Sequence, residues 1–135
     1  MLPKTTCSHI IQYLKSEFKE SLQGIVLYGS QAAGKATERS DIDLAVLLNR
    51  NISQYPLWNT AQTLACQLKK DVDLISLRKA TTVLQKEVVE HGNWLLKSDE
   101  FACNLFETHV FSQYQQLQED RREIIDDLIG RIKNG

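Results

Sequence analysis

Two short segments of this chain carry residue types that could bind a nucleotide. Gly29 and Ser30 end one apolar run, and Asp41-x-Asp43 opens a second apolar run shortly afterwards. Side chains alternate between the faces of a β-strand, so Asp41 and Asp43 would point to the same side. Neighbouring carboxylates repel each other and suit hard divalent cations, while a turn after a strand brings backbone amides to a place where phosphates commonly bind. Together these residues predict nucleotide chemistry.

The patterns around these residues predict an α/β fold in which helices flank a small mixed sheet. In chain order they indicate a helix from Ser8, strands at 25–28 and 41–48, a helix at 57–68, a strand at 71–75, a helix from Thr81 or Thr82 to 91, a strand at 94–96 and a long helix at about 98–131. Helices that alternate with strands favour a layered arrangement, and the short link between the first two strands favours antiparallel pairing there. We expect one domain, residues 1–135, with a core at about 8–97.

The composition excludes several classes of protein. The chain has 135 residues and a net charge of −1, so it has no general positive field for nucleic acid, and we expect no direct nucleic-acid binding. It has no apolar run long enough to span a membrane and no secretory signal pattern, so we expect no membrane association. Its three cysteines are widely spaced, which indicates a reduced, cytoplasmic protein.

Charged residues near these segments are candidates for binding phosphate. Lys35 and Arg39 lie in the loop between the two segments, where they could contact a triphosphate or a leaving pyrophosphate. Arg78, just past the third strand, is a further candidate. On that strand Asp71 and Asp73 share one face, and the residues alone do not decide which of them would join Asp41 and Asp43.

The spacing Gly29-Ser30, ten residues, Asp41-x-Asp43 resembles the signature of the polymerase-β-like nucleotidyltransferase superfamily. Val72-Asp73-Leu74 is similar to the segment that carries the third carboxylate of that family, which favours Asp73. The small size, the segment 73–78 and the tail at 114–127 resemble the minimal nucleotidyltransferases that are antitoxins of type VII HEPN/MNT toxin–antitoxin modules.

The resemblance implies a magnesium-dependent enzyme that transfers AMP from ATP. Asp41, Asp43 and Asp73 would hold two Mg²⁺ ions, and Asp73 could also accept the proton of the nucleophile. Gly29 would allow close backbone approach and Ser30 would bond a phosphate oxygen. The implied acceptor is a tyrosine hydroxyl of a cognate HEPN ribonuclease toxin, which the antitoxin would neutralise in a hetero-oligomeric complex.

Two other functions fit the same residues. An antitoxin could mask its toxin sterically and keep the nucleotide site as a vestige. A small-molecule nucleotidyltransferase, such as one acting on an aminoglycoside, would use the same chemistry. The long last helix likewise has two interpretations, since its apolar stripe could cover the sheet or its distal part could bind a partner.

Overall fold

The computed structural model describes residues 2–37 and 40–134. Within them, a four-stranded sheet is flanked by four α-helices. The elements are α1 (Lys4–Phe18), β1 (Leu22–Tyr28), β2 (Ile42–Leu48), α2 (Gln54–Leu68), β3 (Val72–Ser76), α3 (Thr82–His91), β4 (Asn93–Lys97) and α4 (Glu100–Asn134), with 3-10 turns at Lys19–Ser21 and Leu77–Lys79. The strand order is β3-β2-β1-β4. β1 is antiparallel to β2 and β4, whereas β2 is parallel to β3, so the predicted mixed sheet is confirmed.

The first helix and the first strand begin earlier than the sequence predicts. α1 starts at Lys4 rather than Ser8, directly after Pro3. β1 starts at Leu22 rather than Ile25, so Gly24, a residue type that often ends a connection, lies within the strand. A Cβ built on Gly24 would lie 2.5 Å from the Trp94 ring and 2.8 Å from Cys103 Sγ. The glycine therefore allows β4 and α4 to pack closely on β1.

The C-terminal end of α2 and both ends of α3 agree with the sequence signals, whereas α2 begins at Gln54 rather than Leu57. Lys69 closes α2 in the left-handed conformation. The Thr81 hydroxyl caps α3 by accepting a hydrogen bond from the Leu84 backbone amide, and Gly92 follows its last residue. The apolar residues Val83, Leu84 and Val88 predict an inward face for this helix, but Val83 is 49% exposed.

The sheet separates two clusters of buried side chains. One face packs against α1 and α2 through residues that include Ile10, Leu14, Leu57 and Leu64. The other face packs against α3 and α4, and its cluster is Val26, Ala45, Leu47, Leu77, Val88, Cys103, Phe106 and Val110. Since alternate residues of a strand share a face, Asp43 lies on the same side as Ala45 and Leu47, towards α3 and α4.

Only the first part of α4 packs on this core. The apolar spacing of the sequence predicts a stripe that includes Phe101, Leu105 and Val110. Cys103, Phe106 and Val110 are buried, whereas Phe101 and Leu105 are exposed. The segment 118–129 is exposed throughout. The distal part of α4 carries an exposed apolar surface, the distal apolar face, which we define as Ile124, Ile125, Leu128, Ile129 and Ile132. Among the described residues, no helix combines the length and apolar character that crossing a membrane requires.

α4 runs in the same direction as α3. The Arg78 guanidinium lies 5.5 Å from the centre of the Phe106 ring, and eight residues later in both segments the Lys86 ammonium lies 4.7 Å from the Tyr114 ring. α3 ends at His91, next to the end of β1 that carries Tyr28. The distal part of α4 therefore leaves the core at this end of the sheet.

Candidate active site

The strand register brings the predicted carboxylates to one end of the sheet. Asp43 of β2 lies directly opposite Asp73 of the parallel strand β3 and opposite Tyr28 of the antiparallel strand β1. Asp41 comes just before β2, where the Ile42 amide donates a hydrogen bond of 2.9 Å to the Asp71 carbonyl. Tyr28, Asp43 and Asp73 thus lie side by side on three adjoining strands, although they are far apart in the chain.

The site carries negative charge that the described residues do not neutralise. Burial, followed by the charges of Asp73 and Asp41, raises the pKa of the Asp43 carboxyl. Burial together with Asp73 and Asp43 raises the pKa of Tyr28 to about 12. Within residues 2–37 and 40–134, none of the three carboxylates forms an ion pair. The arrangement is therefore suited to receive a cation.

The predicted phosphate turn lies against these carboxylates. Gly29 has a φ of +73°, and a Cβ at this position would collide with Asp43 Oδ2. The Ala33 amide donates to the Gly29 carbonyl and the Lys35 amide donates to the Ser30 carbonyl, both at 3.1 Å. The segment after Ser30 is a hydrogen-bonded turn rather than a helix. Only glycine combines this conformation with so close an approach.

A cavity of about 600 Å³ opens beside the turn and reaches α3. Its volume is in the range of ordinary small-molecule sites. It is lined by Tyr28, Gly29, Ser30, Ala33, Lys35, Leu84, Glu87 and His91. The structure thus brings Lys35 to the turn. Sequence reasoning assigned no role here to Leu84, Glu87 or His91, because their position depends on how α3 packs against β1, which no local pattern encodes.

One predicted phosphate ligand, Arg78, is not part of this cavity. Arg78 lies at the opposite end of the sheet, where its Nε donates to the Leu48 carbonyl at 2.7 Å and its Nη2 donates to Gln23 Oε1 at 2.6 Å. β3 runs parallel to β2, so a residue that follows β3 emerges away from the carboxylates, and the structure does not bring Arg78 to the site. Arg39 lies outside the described residues.

The side chains do not form a ready-made metal site. Among the described residues, no group of three or more His, Cys, Asp or Glu side chains is already arranged around one point. A bound cation would have to draw the carboxylates of Asp41, Asp43 and Asp73 together, which rotation of short side chains on adjoining strands allows. All the available donors are oxygen atoms, the type that Mg²⁺ prefers.

Comparison with known proteins identifies relatives over most of the chain. A family model described as polymerase beta, nucleotidyltransferase matches residues 8–101. The protein adenylyltransferase MntA of Shewanella oneidensis is 41% identical over 122 residues, which cover 89% of this chain and 85% of the relative.

Solved structures of related complexes share the fold. A chain in a crystal structure of a toxin–antitoxin with AMP-PNP superimposes with a TM-score of 0.80 at 40% identity, covering 91% of this chain and 98% of its own length. A second chain comes from a complex of tri-AMPylated Shewanella oneidensis HEPN toxin with MNT antitoxin. It has a TM-score of 0.77 at 37% identity and covers 93% of this chain and 98% of its own. The glycine–serine turn, the carboxylates on adjoining strands and these matches agree, and the chain belongs to the polymerase β nucleotidyltransferase family.

Proposed function

We propose that this protein is an antitoxin that transfers AMP from ATP to a cognate HEPN toxin. The observation that carries the proposal is the register that sets Asp43 between Asp73 on one side and the Tyr28–Gly29 corner on the other. This site occurs in a chain that is 41% identical to the protein adenylyltransferase MntA. A related antitoxin has been crystallised with tri-AMPylated HEPN toxin, which supports the same type of acceptor here.

Each candidate residue has a separate task in the proposed reaction. Gly29 and Ser30 bind the triphosphate through the turn, and the Lys35 ammonium offsets its charge from the same cavity. Asp41, Asp43 and Asp73 would hold Mg²⁺, which when bound stabilises the charge that develops on the phosphate oxygens. Asp73, which is exposed on the outer strand, accepts the proton of the acceptor hydroxyl.

We propose that the acceptor is a tyrosine hydroxyl of the toxin. An attached AMP adds bulk and negative charge, so it would repel the phosphate backbone of RNA from a ribonuclease site. We place the reaction in the cytoplasm, because Cys7, Cys66 and Cys103 are all free thiols.

The test uses purified protein, its toxin, ATP and Mg²⁺, with mass spectrometry of the toxin as the measurement. The wild-type protein should add at least one adenylyl group. The double change Asp41→Asn, Asp43→Asn should lower the transfer rate by at least about a thousandfold, since it removes the cation ligands. The matched double change Glu17→Gln, Glu20→Gln lies outside the site and should leave the rate unchanged. A wild-type reaction with no mass increase would disprove the proposal.

Steric masking is the second candidate function, and the distal apolar face favours it. Five large aliphatic side chains exposed on one helix could bind a partner without any catalysis. The Asp41→Asn, Asp43→Asn variant discriminates between the two functions in cells that express the toxin. Loss of protection indicates catalysis, whereas full protection indicates masking.

A further inference from the structure

The geometry of the site defines the side from which the acceptor must approach. The Gly29–Ser30 turn and its cavity lie on the β1 side of Asp43, whereas Asp73 lies on the β3 side. In an in-line displacement at phosphorus, the nucleophile and the leaving group occupy opposite sides of the reacting atom. If the triphosphate tail is held at the turn, the acceptor enters from the β3 side.

A second cavity opens near the start of β3, beside the end of α2, the helix that packs on the face of the sheet opposite to Asp43. Its volume is about 490 Å³, and it shares Asp41 with the active site. It is lined by Ser40, Asp41, Gln62, Ala65, Cys66, Lys69, Lys70 and Asp71, and we call it the acceptor cavity. Residues 62–69 come from the last turns of α2 and the residue that ends it, while Asp71 directly precedes β3.

In the described part of the chain, the lining of the acceptor cavity has two cationic groups, Lys69 and Lys70, and two carboxylates, Asp41 and Asp71. Neither Lys69 nor Lys70 forms an ion pair there. Of the two carboxylates in the lining, Asp41 would have its charge offset by the metal, which leaves Asp71 opposed by two lysines. The lining is therefore neutral without a metal, and it would become net positive once Mg²⁺ offsets the charge of Asp41.

We propose that the acceptor cavity binds an anionic group of the acceptor and so positions its hydroxyl for transfer; this inference rests on the proposed adenylyltransferase function. Two sources supply such an anion. One is an acidic residue next to the acceptor tyrosine. The other is the phosphodiester of an AMP already attached, a situation that arises whenever a further AMP is added to the first.

The reaction step is the same for both sources. The acceptor oxygen forms a bond to the α-phosphorus of ATP, and the bond from that phosphorus to the oxygen bridging to the β-phosphate breaks. The hydroxyl proton passes to the Asp73 carboxylate, and pyrophosphate leaves on the β1 side. Lys69 and Lys70 take no part in bond making, so they are positioning residues.

The test compares Lys69→Gln, Lys70→Gln with a matched control, Lys15→Gln, Lys19→Gln. Lys19 and Lys69 both follow a helix and have positive φ, at 52° and 56°, but their ψ angles differ, at −127° and 37°. Lys15 and Lys19 line a separate cavity with Gln23 and Asn49, at the end of the sheet away from the carboxylates. Both double variants remove two positive charges.

The measurement is the time course of toxin molecules that carry zero, one, two or more AMP groups, together with the affinity of each variant for ATP. We expect transfer by the Lys69→Gln, Lys70→Gln variant to fall about tenfold, the effect of losing two exposed charge contacts. Its ATP affinity should equal that of the control, because ATP lies on the other side of Asp43.

The distribution of products identifies the source of the anion. A fall confined to the second and later additions indicates the phosphodiester of attached AMP, whereas a fall that includes the first addition indicates acidic residues of the toxin. Transfer equal to that of the control overturns the inference while leaving the proposed function intact. A wild-type protein that transfers no AMP overturns both.

Cys66 provides an independent test that does not depend on how the lysine variant folds. Its thiol is exposed and lines the acceptor cavity. A bulky maleimide on Cys66 should block transfer by the wild-type protein, while the Cys66→Ser variant treated in the same way should stay active. Undiminished transfer by protein fully modified at Cys66 would contradict the inference.

Discussion

Gly29 is the residue at which backbone conformation most directly constrains the candidate site. Its φ of +73° disfavours any side chain, and a Cβ there would also collide with the Asp43 carboxylate. Gly34 has a nearly identical φ of +70°, but a Cβ on it meets nothing within 4 Å. Alanine substitutions at the two glycines can therefore be compared. Both introduce backbone strain, but only the substitution of Gly29 adds a collision with Asp43.

We predict that Gly34→Ala lowers the free energy of unfolding by about 1 kcal/mol, the cost of a left-handed non-glycine residue. Gly29→Ala should cost more and should also abolish AMP transfer, because Asp43 must move. Urea denaturation and the mass assay of toxin AMPylation measure the two effects. Equal stability and activity in the two variants would show that the contact with Asp43 is unimportant.

The ionised Asp43 carboxylate destabilises the folded protein when no cation is bound. Its pKa is raised by burial and by Asp73 and Asp41, so the folded protein holds a proton at this carboxyl more readily than the unfolded chain does. Above this raised pKa the ionised carboxylate therefore lowers the free energy of unfolding. The contribution of Asp43 to that free energy increases as the pH falls through its raised pKa.

It follows that Asp43→Asn should stabilise the protein at pH 7 in the presence of a chelator. A gain of about 1 kcal/mol, or roughly 4 °C in melting temperature, is expected for a change of this type. The control Asp71→Asn removes an exposed carboxylate and should have a smaller effect. A lower melting temperature for Asp43→Asn in chelator would contradict the electrostatic argument.

The three cysteines should differ in their rates of alkylation. Cys66 is exposed, whereas Cys103 is buried and its thiol donates to the Gln23 carbonyl at 3.3 Å. Burial raises the pKa of Cys103 to about 11, so at pH 8 only about one molecule in a thousand carries the thiolate there. Burial also raises the pKa of Cys7. Iodoacetamide followed by peptide mass spectrometry should show Cys66 modified first and Cys103 last.

Much of the site could be predicted at this scale, because the glycine–serine turn and the spacing of Asp41 and Asp43 are local features. The choice of Asp73 over Asp71 needed the family pattern, and the register opposite Asp43 gives that choice a geometric basis. Arg78 was assigned to phosphate because it follows a carboxylate strand. The parallel direction of β3, which sequence proximity does not reveal, carries it to the other end of the sheet.

The two halves of α4 differ in burial: the first half packs on the core, and the second half is exposed. Its first part is held by Cys103, Phe106 and Val110, and its contacts with α3 continue to Tyr114. The segment 118–129 is exposed. An isolated helix of this length is only marginally stable in water, so the distal half depends on continuity with the packed half.

We predict that truncation after Gln118 leaves the melting temperature within about 4 °C of the full chain, since none of residues 119–132, the removed residues whose burial is described, is buried. Amide hydrogen exchange in the full chain should be faster in 119–134 than in 100–114. Circular dichroism and exchange mass spectrometry measure the two effects. A large fall in melting temperature would mean that the distal half folds back on the core.

Helix boundaries were predictable where a cap or a glycine marks them, as at Thr81 and Gly92. The face of α4 that packs on the sheet was not predictable from the sequence. Phe101 and Leu105 have the apolar character that a core position needs, but α4 is rotated so that Cys103 and Phe106 face the sheet. That rotation is set by the space beside Gly24, which is a contact between distant parts of the chain.

At the scale of the whole molecule, the two buried clusters share one sheet. Every central strand contributes side chains to both clusters, so neither face can unfold while the other stays intact. We therefore predict that residues 1–135 behave as one domain with a single cooperative transition.

Two tryptophans allow this prediction to be checked. Trp58 lies on α2, the helix of one face, where it is 54% exposed, and Trp94 of β4 packs against the cluster of the other face. The fluorescence of single-tryptophan variants, Trp58→Phe and Trp94→Phe, should give the same midpoint in urea as circular dichroism. Separate midpoints would indicate that the two faces unfold independently.

The direction of α4 has a kinetic consequence. The segment from 118 to 134 extends about 25 Å past the core, at the end of the sheet that holds the carboxylates. A partner bound along this segment would keep its acceptor hydroxyl near the site at a high local concentration. Transfer would then follow first-order kinetics that do not change on dilution, for as long as the two proteins remain bound.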